Sequence, residues 1–305
     1  MSREIELGGY QIVGKLAVGG MAEVYRGRAG PTAQRAPGEP DEVVLKRLLP
    51  AFRADGAYVR HFLEEARLVL QLRHPNIVRT WRCFKAGEDY LMVQELVSGR
   101  TLAYLTEVLH QTRSPMPPAA ATYIVRSLLE ALAYIHSAKL VDGGANIVHR
   151  DVNPSNILLS VQGEVKLTDF GVADVEGQMG GDSGALRGTL PYMSPEQVLG
   201  FPVDHRADLF SAGVILWELF ANRRLYDAAN EAELMHQVRD ARIPLLRRVA
   251  PQLPEYAEQI VRNALFADPA LRFQTAAEFS RALELLADRN GWPLSVEALR
   301  PLLGQ

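Results

Sequence analysis

Four short stretches of this 305-residue chain put charged or amide side chains where phosphate and metal chemistry could use them. In Ile147-Val148-His149-Arg150-Asp151-Val152-Asn153-Pro154-Ser155-Asn156-Ile157-Leu158-Leu159, polar residues are packed between two apolar runs. Asp151 and Asn156 lie five apart and precede a strand, so a proton-accepting carboxylate and a cation-ligating amide oxygen could converge there. In Lys166-Leu167-Thr168-Asp169-Phe170-Gly171 a second carboxylate closes a strand before a glycine that permits a sharp change of direction; Asp169 reads as another oxygen ligand for the same cation. Val43-Val44-Leu45-Lys46 sets a lysine against the interior face of an apolar strand, where it needs a partner. Glu65, three after Phe62 and four before Val69, falls on or beside the apolar stripe of the next helix and supplies one. The other reading is that both side chains reach solvent, with Glu64 competing for the pairing. Leu16 to Val24, LAVGGMAEV, is a turn of small residues whose amides could approach a phosphate, or a plain hairpin turn.

Two differently built regions must position these groups. Through residue 97, Tyr10 to Leu16, Ala22 to Arg28, Val43 to Leu48, Thr80 to Phe84 and Tyr90 to Leu96 read as strands, with one amphipathic helix over Tyr58 to Leu72. The Pro- and Gly-rich GPTAQRAPGEPD, which follows Arg28 and runs to Asp41, reads as an exposed loop joining two strands. After about Gly99 the signals turn helical: Ala119 to Ala138, Ala207 to Asn222, Glu231 to Arg239, Glu255 to Phe266 and Thr275 to Arg289. Asn156 to Ser160 and Glu164 to Thr168 flank a Val161-Gln162-Gly163 turn and read as a hairpin set against them. Thr275 with Glu278, and Ser194-Pro195 with Gln197, mark helix starts as capping boxes.

Composition bounds the rest. With 48% apolar and 23% charged residues, 24 Gly and 18 Pro, the chain is globular, neither collagen-like nor disordered nor a disulfide scaffold. One cysteine, Cys83, fits a reducing compartment. A net charge of −3 gives no reason to expect nucleic acid as a partner, although residues 1–97 hold 14 basic and 12 acidic residues against 19 and 24 beyond them. MSREIELGGY has no apolar targeting core, and the longest apolar stretch, Leu209 to Phe220, is broken by Ser211 and Glu218. No signal peptide and no membrane span are expected, and the chain is read as cytoplasmic.

The order and spacing of the motifs, with Gly188-Thr189-Leu190-Pro191-Tyr192-Met193-Ser194-Pro195-Glu196 following Asp169-Phe170-Gly171, resemble the eukaryotic-type protein kinases from about Tyr10 to about Ala287. Met21-Ala22-Glu23-Val24-Tyr25 and Ser194-Pro195-Glu196-Gln197 are most similar to bacterial Ser/Thr protein kinases. The resemblance implies an α+β, bilobal fold: an antiparallel-sheet lobe with its hinge over 1–97, a mostly helical lobe over 98–288 and an extension over 289–305. It implies Mg-ATP-dependent transfer of the γ-phosphate to Ser/Thr hydroxyls of proteins, with autophosphorylation and a homodimer that supports it in trans. Lys46 would hold the α and β phosphates, oriented by Glu65. Asn156 and Asp169 would hold Mg2+, Asp151 would receive the substrate hydroxyl, and Thr189 would contact Asp151. Leu16, Gly19, Val24, Val44, Glu95, Val97 and Leu158 would complete the ATP site, with Gln94 as the gatekeeper.

The same matching makes Asp208 an anchor for the catalytic-loop backbone, against a plain helix-start charge, and Glu196 with Arg272 a buried ion pair, against a first-turn acid. His74 reads as a turn cap. Four positions depart from the family's pattern. Asn153 replaces a lysine that usually touches the transferring phosphate, Ala17 and Ala22 replace phosphate-loop glycines, and Val44 replaces a small alanine over the adenine. These departures keep a nucleotide-binding pseudokinase or signalling scaffold as the alternative. A small-molecule kinase ranks third, because those usually lack the Gly188 to Glu196 signature. Ser183 is the expected regulatory phosphosite, its phosphate pairing with Arg150. Ala138 to Asn146 reads as a surface insertion, and Trp292 to Leu303 as a partly helical segment that packs on the helical region or docks a partner.

Overall fold

The computed structural model describes residues 5–139, 147–170 and 189–302. The chain divides into two compact units, with the division after the strand region falling between Val97 and Ser98.

The first unit is a six-stranded antiparallel sheet built from β1 (Glu6–Leu7), β2 (Tyr10–Val18), β3 (Ala22–Ala29), β4 (Glu42–Leu48), β5 (Thr80–Ala86) and β6 (Asp89–Glu95), in the order β1-β2-β3-β4-β6-β5. Side-chain alternation in β4 decides what each face carries. Val43 and Leu45 pack with Tyr10 and Val93 on one face, and Val44 and Lys46 point to the other. Helix α1 (Gly56–Val69) starts where Asp55 accepts from the amide of Ala57 at 2.8 Å, and it packs Phe62, Ala66 and Val69 onto the sheet.

The loop between β3 and β4 corrects the expectation of an exposed connection. The Glu39 side chain is fully buried; it accepts from the Tyr10 hydroxyl and from the Ala36 amide at 3.0 Å, and pairs with Arg82 at 3.4 Å. Ala33 packs beside Tyr10 in the core, and the Cα of Gly38 (φ +77°) faces the Trp81 ring. The loop therefore covers part of the sheet face. Composition signalled turns correctly, but a single acid in a polar loop gives no sign that it will be buried.

The second unit is mostly helical: α2 (Leu102–Gln111), α3 (Pro118–Ser137), α4 (Pro195–Val198), α5 (Arg206–Ala221), α6 (Glu231–Arg239), α7 (Leu246–Val249), α8 (Glu255–Ala264) and α9 (Ala276–Asn290). A three-stranded sheet, β7 (Gly99–Thr101), β8 (Ile157–Ser160) and β9 (Val165–Leu167), carries the catalytic-loop region. Helix α5 is buried on all sides, as a helix apolar around its whole circumference must be. Its Gly213 permits close approach of α8, since a Cβ there would meet the Ala264 Cβ at 2.7 Å. Each large side chain buried here, such as Phe210 and Trp217, contributes about 1.5–3 kcal/mol before entropy is counted.

Capping follows the sequence in part. Ser194 and Gln197 form the expected box. The Thr275 hydroxyl accepts from the Glu278 amide at 3.0 Å, but the Glu278 carboxylate accepts from Gln274, one residue before the cap. The segment after α9 is not helical as its spacing suggested. It makes two 3-10 turns, Val296–Ala298 and Arg300–Leu302, that bury Ala298, Leu299 and Leu302 against the helical unit. Most of the 138–146 insertion lies outside the described residues.

Candidate active site

The catalytic-loop segment hangs from one buried carboxylate. Asp208 in the first turn of α5 accepts from the amides of His149 at 2.9 Å and Arg150 at 2.8 Å, and a third time from His136 Nε2 at 2.8 Å. It is 1% exposed, so its role goes beyond a surface charge at a helix start. These bonds hold Arg150 in the left-handed region, at φ +64°, which a non-glycine residue occupies at a cost. Sequence reasoning did not single out His136; its place in the last turn of α3 was its only signal.

His149 lies buried under the loop. Its Nδ1 accepts from the Asp151 amide at 3.3 Å while Nε2 faces the Thr168 carbonyl at 3.2 Å, which places the proton on Nε2. Burial lowers its pKa and favours this neutral form against the nearby carboxylates. The ring also tilts onto Phe170, centroids 4.7 Å apart. Asp169, just before Phe170, adopts φ +54°, a second left-handed non-glycine residue in the region.

Asp151 carries a donor on each carboxylate oxygen. Asn153 Nδ2 donates to Oδ1 at 2.8 Å and Asn156 Nδ2 to Oδ2 at 2.9 Å, and the Thr189 side chain also bonds Asp151. Burial raises the Asp151 pKa, partly offset by His149 and these three donors. Asn153 does more than fill the place of the family's lysine: its Oδ1 accepts from the Ser155 amide at 2.9 Å and caps the Pro154–Asn156 turn. Because the Asn156 amide nitrogen is spent on Asp151, its oxygen is the atom left for a cation. Asn156 is tied to the end of β9 by the Thr168 amide donating to its carbonyl at 3.0 Å. Asn156 and Asp169 thus offer oxygen donors, which suits a hard ion such as Mg2+. No cluster of three or more His, Cys, Asp or Glu that could hold a metal occurs among the described residues.

Two further links stiffen the loop. Gln197 Nε2 donates to the Arg150 carbonyl at 3.0 Å. Arg272 grips Glu196 with two bonds of 2.7 Å and also donates to the carbonyls of Phe266 and Ala267, so this buried pair is fully hydrogen-bonded. Leu158, in β8, pairs with Thr101 and Lys166.

The remaining candidate residues belong to the first unit. Lys46 Nζ lies 2.6 Å from Glu65 Oε1, with side-chain exposures of 9% and 6%, which decides for the pair over two solvated charges. Val24 pairs across the sheet with Lys46, and Val44 with Gln94. β2 slips register between Lys15 and Ala17, at Leu16, and the Gly19 amide donates to the Ala22 carbonyl at 2.7 Å, closing the small-residue turn. Gln94 is buried, with its amide 3.4 Å from the Thr80 hydroxyl. Glu95 ends β6 with its carboxylate accepting from the Arg79 amide at 3.1 Å; Val97 follows. The His74 ring caps its turn, Nδ1 accepting from the Asn76 amide at 3.2 Å.

On the sheet face opposite Lys46 runs an ion chain that the sequence did not reveal. Lys15 meets Glu23 at 2.8 Å, Glu23 meets Arg47 at 3.1 Å, Arg47 meets Asp89 at 2.8 Å, and Arg53 closes onto Asp89. It links both strands of the small-residue turn to the segment leading into α1. Ser183 lies outside the described residues.

Residues 10–283 match the family described as protein kinase domain. The chain is 34% identical over 282 residues to a tyrosine-protein kinase, MasK, of Myxococcus xanthus, covering 91% of this chain and 43% of MasK. It is 33% identical to the serine/threonine-protein kinase PknL of Mycobacterium tuberculosis, covering 93% and 67%, and 30% identical to PrkC of Bacillus subtilis, covering 93% and 41%. The chain thus spans less than half of MasK and PrkC. The kinase domain of M. tuberculosis PknI superposes with a TM-score of 0.70 at 26% identity, over 94% of this chain and 99% of that one. The antiparallel sheet unit and the helical unit match that architecture.

Proposed function

Because this chain belongs to the protein kinase domain family, we propose that it transfers the γ-phosphate of ATP to serine and threonine hydroxyls of proteins, itself included. The observation that carries this reading is the Asp151 carboxylate, held by Asn153, Asn156 and Thr189 in a loop suspended from Asp208. Burial makes Asp151 a better proton acceptor than an exposed carboxylate, so it takes the proton of an acceptor hydroxyl as that oxygen attacks phosphorus. Its three donors orient it without needing to move during the reaction.

Lys46, held in place by Glu65, binds nucleotide phosphates as a point charge. Asn156 through its amide oxygen and Asp169 through its carboxylate hold Mg2+, which when bound neutralises phosphate charge. Leu16, Gly19, Val24, Val44, Glu95, Val97 and Leu158 form the rest of the ATP site. We assign 1–97, 98–288 and 289–305 as the two lobes and an extension, place the regulatory phosphate at Ser183, and read the protein as cytoplasmic, acting on protein substrates and on itself in a homodimer. Among the described residues no helix is long and apolar enough to cross a membrane.

The acceptor is serine or threonine in this reading, while one of the relatives is named a tyrosine kinase. Mass spectrometry of the chain after incubation with ATP and Mg2+ separates the two by phosphoamino-acid type. Phosphate that appears in the wild type and vanishes in Asp151→Asn and Lys46→Met is the expected result. Binding of Mg-ATP, seen as a thermal shift, with no transfer to self or to protein would support the pseudokinase reading that Asn153 raises.

A further inference from the structure

Helices α2 and α5 of the second unit end at one cavity of about 660 Å³. His110, Arg113, Arg223 and Arg224 line it, with Asp227 the one carboxylate among its lining residues and Gln237 contributed by α6. Both helix ends are held in left-handed conformations by residues other than glycine, Arg113 at φ +53° and Asn222 at φ +50°. Asn222 Nδ2 donates to the Ser114 carbonyl at 3.3 Å and ties the two ends together.

The three arginines are not equally engaged. Arg224 pairs with Glu218 at 3.5 Å and bonds the Tyr192 hydroxyl. Arg113 and Arg223 have no carboxylate partner among the described residues; the Arg223 guanidinium lies 5.4 Å from the Trp217 ring centroid. Cations near helix C-termini are favoured by the dipole, and that alone would account for one or two of them. It does not account for two exposed guanidiniums without a carboxylate partner lining one pocket beside His110, where a bound anion would pair with both.

The cavity is also connected to the reacting loop. Arg224 reaches Tyr192, whose hydroxyl donates to Glu218 at 2.8 Å, and α6 packs against the Leu190–Tyr192 turn. Thr189, the residue before that turn, bonds Asp151.

We propose that this cavity is a recognition subsite for anionic side chains of protein substrates, a carboxylate or phosphate group near the acceptor hydroxyl, read by Arg113, Arg223 and His110. The proposal rests on the protein-phosphorylation reading. Its test uses acceptor peptides in which a Glu-Glu-Glu block is moved along either side of one serine, each with a Gln-Gln-Gln twin, assayed with wild type, Arg113→Gln/Arg223→Gln and Arg113→Gly.

The wild type should favour one Glu register about tenfold in KM, equivalent to about 1.4 kcal/mol, at similar kcat. The double variant should lose that preference and keep the kinetics of the Gln twin. Arg113→Gly should be no less stable than wild type, since glycine suits φ +53°, yet should lose part of the preference. No preferred register in the wild type, or a preference that survives in the double variant, overturns the proposal. If no peptide is phosphorylated, the phosphotransfer reading fails by itself, and fluorescence-anisotropy titration of the labelled Glu and Gln peptides still decides on the subsite. Tighter binding of a single-stranded RNA oligonucleotide than of the Glu peptides, lost in the double variant, would assign the cavity to nucleic acid and overturn the proposal as well.

Discussion

The amide nitrogen of Asn153 lies 2.8 Å from Oδ1 of Asp151, on the carboxylate oxygen opposite the one that Asn156 holds at 2.9 Å. A neutral amide thus stands against the Asp151 carboxylate where the family usually carries a lysine. The charge is gone, but a donor to the ionised form of Asp151 is kept.

Asn153→Ala removes that donor. Burial already raises the Asp151 pKa, and losing a bond that favours the ionised form raises it further. Asp151 must be ionised to accept a proton, so the acid limb of the kcat/KM profile should move to higher pH, with turnover at pH 7 falling by about ten- to a hundredfold. An unmoved acid limb would show that Asn153 does not tune Asp151.

Lys46→Met takes the cation away from the buried Glu65 carboxylate and should cost about 3–5 kcal/mol of stability as well as activity. Lys46→Met/Glu65→Leu should recover most of that stability and none of the activity. Denaturant unfolding of both single variants and the double variant gives the coupling, and a double variant no more stable than Lys46→Met would contradict a buried pair.

Asp208→Asn leaves one acceptor oxygen where the carboxylate has two and turns an amide toward backbone donors. With three bonds disturbed, each worth about 1.5–3 kcal/mol to a charged acceptor, stability should fall by at least about 3 kcal/mol. Phosphotransfer should fall by about a hundredfold or more, because Arg150 is no longer held at φ +64°. Guanidinium titration and single-turnover assays check the two effects separately.

The ion chain on the sheet predicts a pH dependence. Burial acts to raise the Glu23 pKa, but bonds from Lys15 and Tyr25 and the charge of Arg47 outweigh it, so the group titrates below the ordinary carboxylate range. A depressed folded pKa gives stability that is present above the unfolded value of about 4.3 and is lost as pH falls through the folded one. Wild type should therefore exceed Glu23→Gln in Tm at pH 7, with the gap closing toward pH 3. A gap that is constant with pH would assign the effect to packing.

Much of this was legible locally. β4, α1 and the catalytic loop were readable because alternation, a three-and-four apolar spacing and clustered polar residues are properties of neighbouring positions. Asp208 and Arg272 were placed by motif order, and their bonds confirm anchoring geometry. The missed features depend on residues far apart in sequence. His136 meets Asp208 across 72 positions and Arg53 meets Asp89 across 36, and no local pattern marks either pair. Helix α2 was overlooked although Thr101 caps it and Leu102, Leu105 and Leu109 fill its inner face, because ten residues between a strand and a proline-rich turn carry a weak period. The C-terminal turns were misread because their apolar residues are spaced for burial on one side, a spacing that short 3-10 turns share with a helix.

Glu39 changes where this protein can be edited. Its loop has the composition in which tags, reporters or length changes are usually placed, yet an insertion between Pro31 and Pro40 would pull a buried acid away from Tyr10 and leave the Arg82 guanidinium uncompensated beside the sheet core. The Gly87 turn, open to solvent at φ +59°, is the better graft point, provided Asp89 is left in place to hold Arg47 and Arg53.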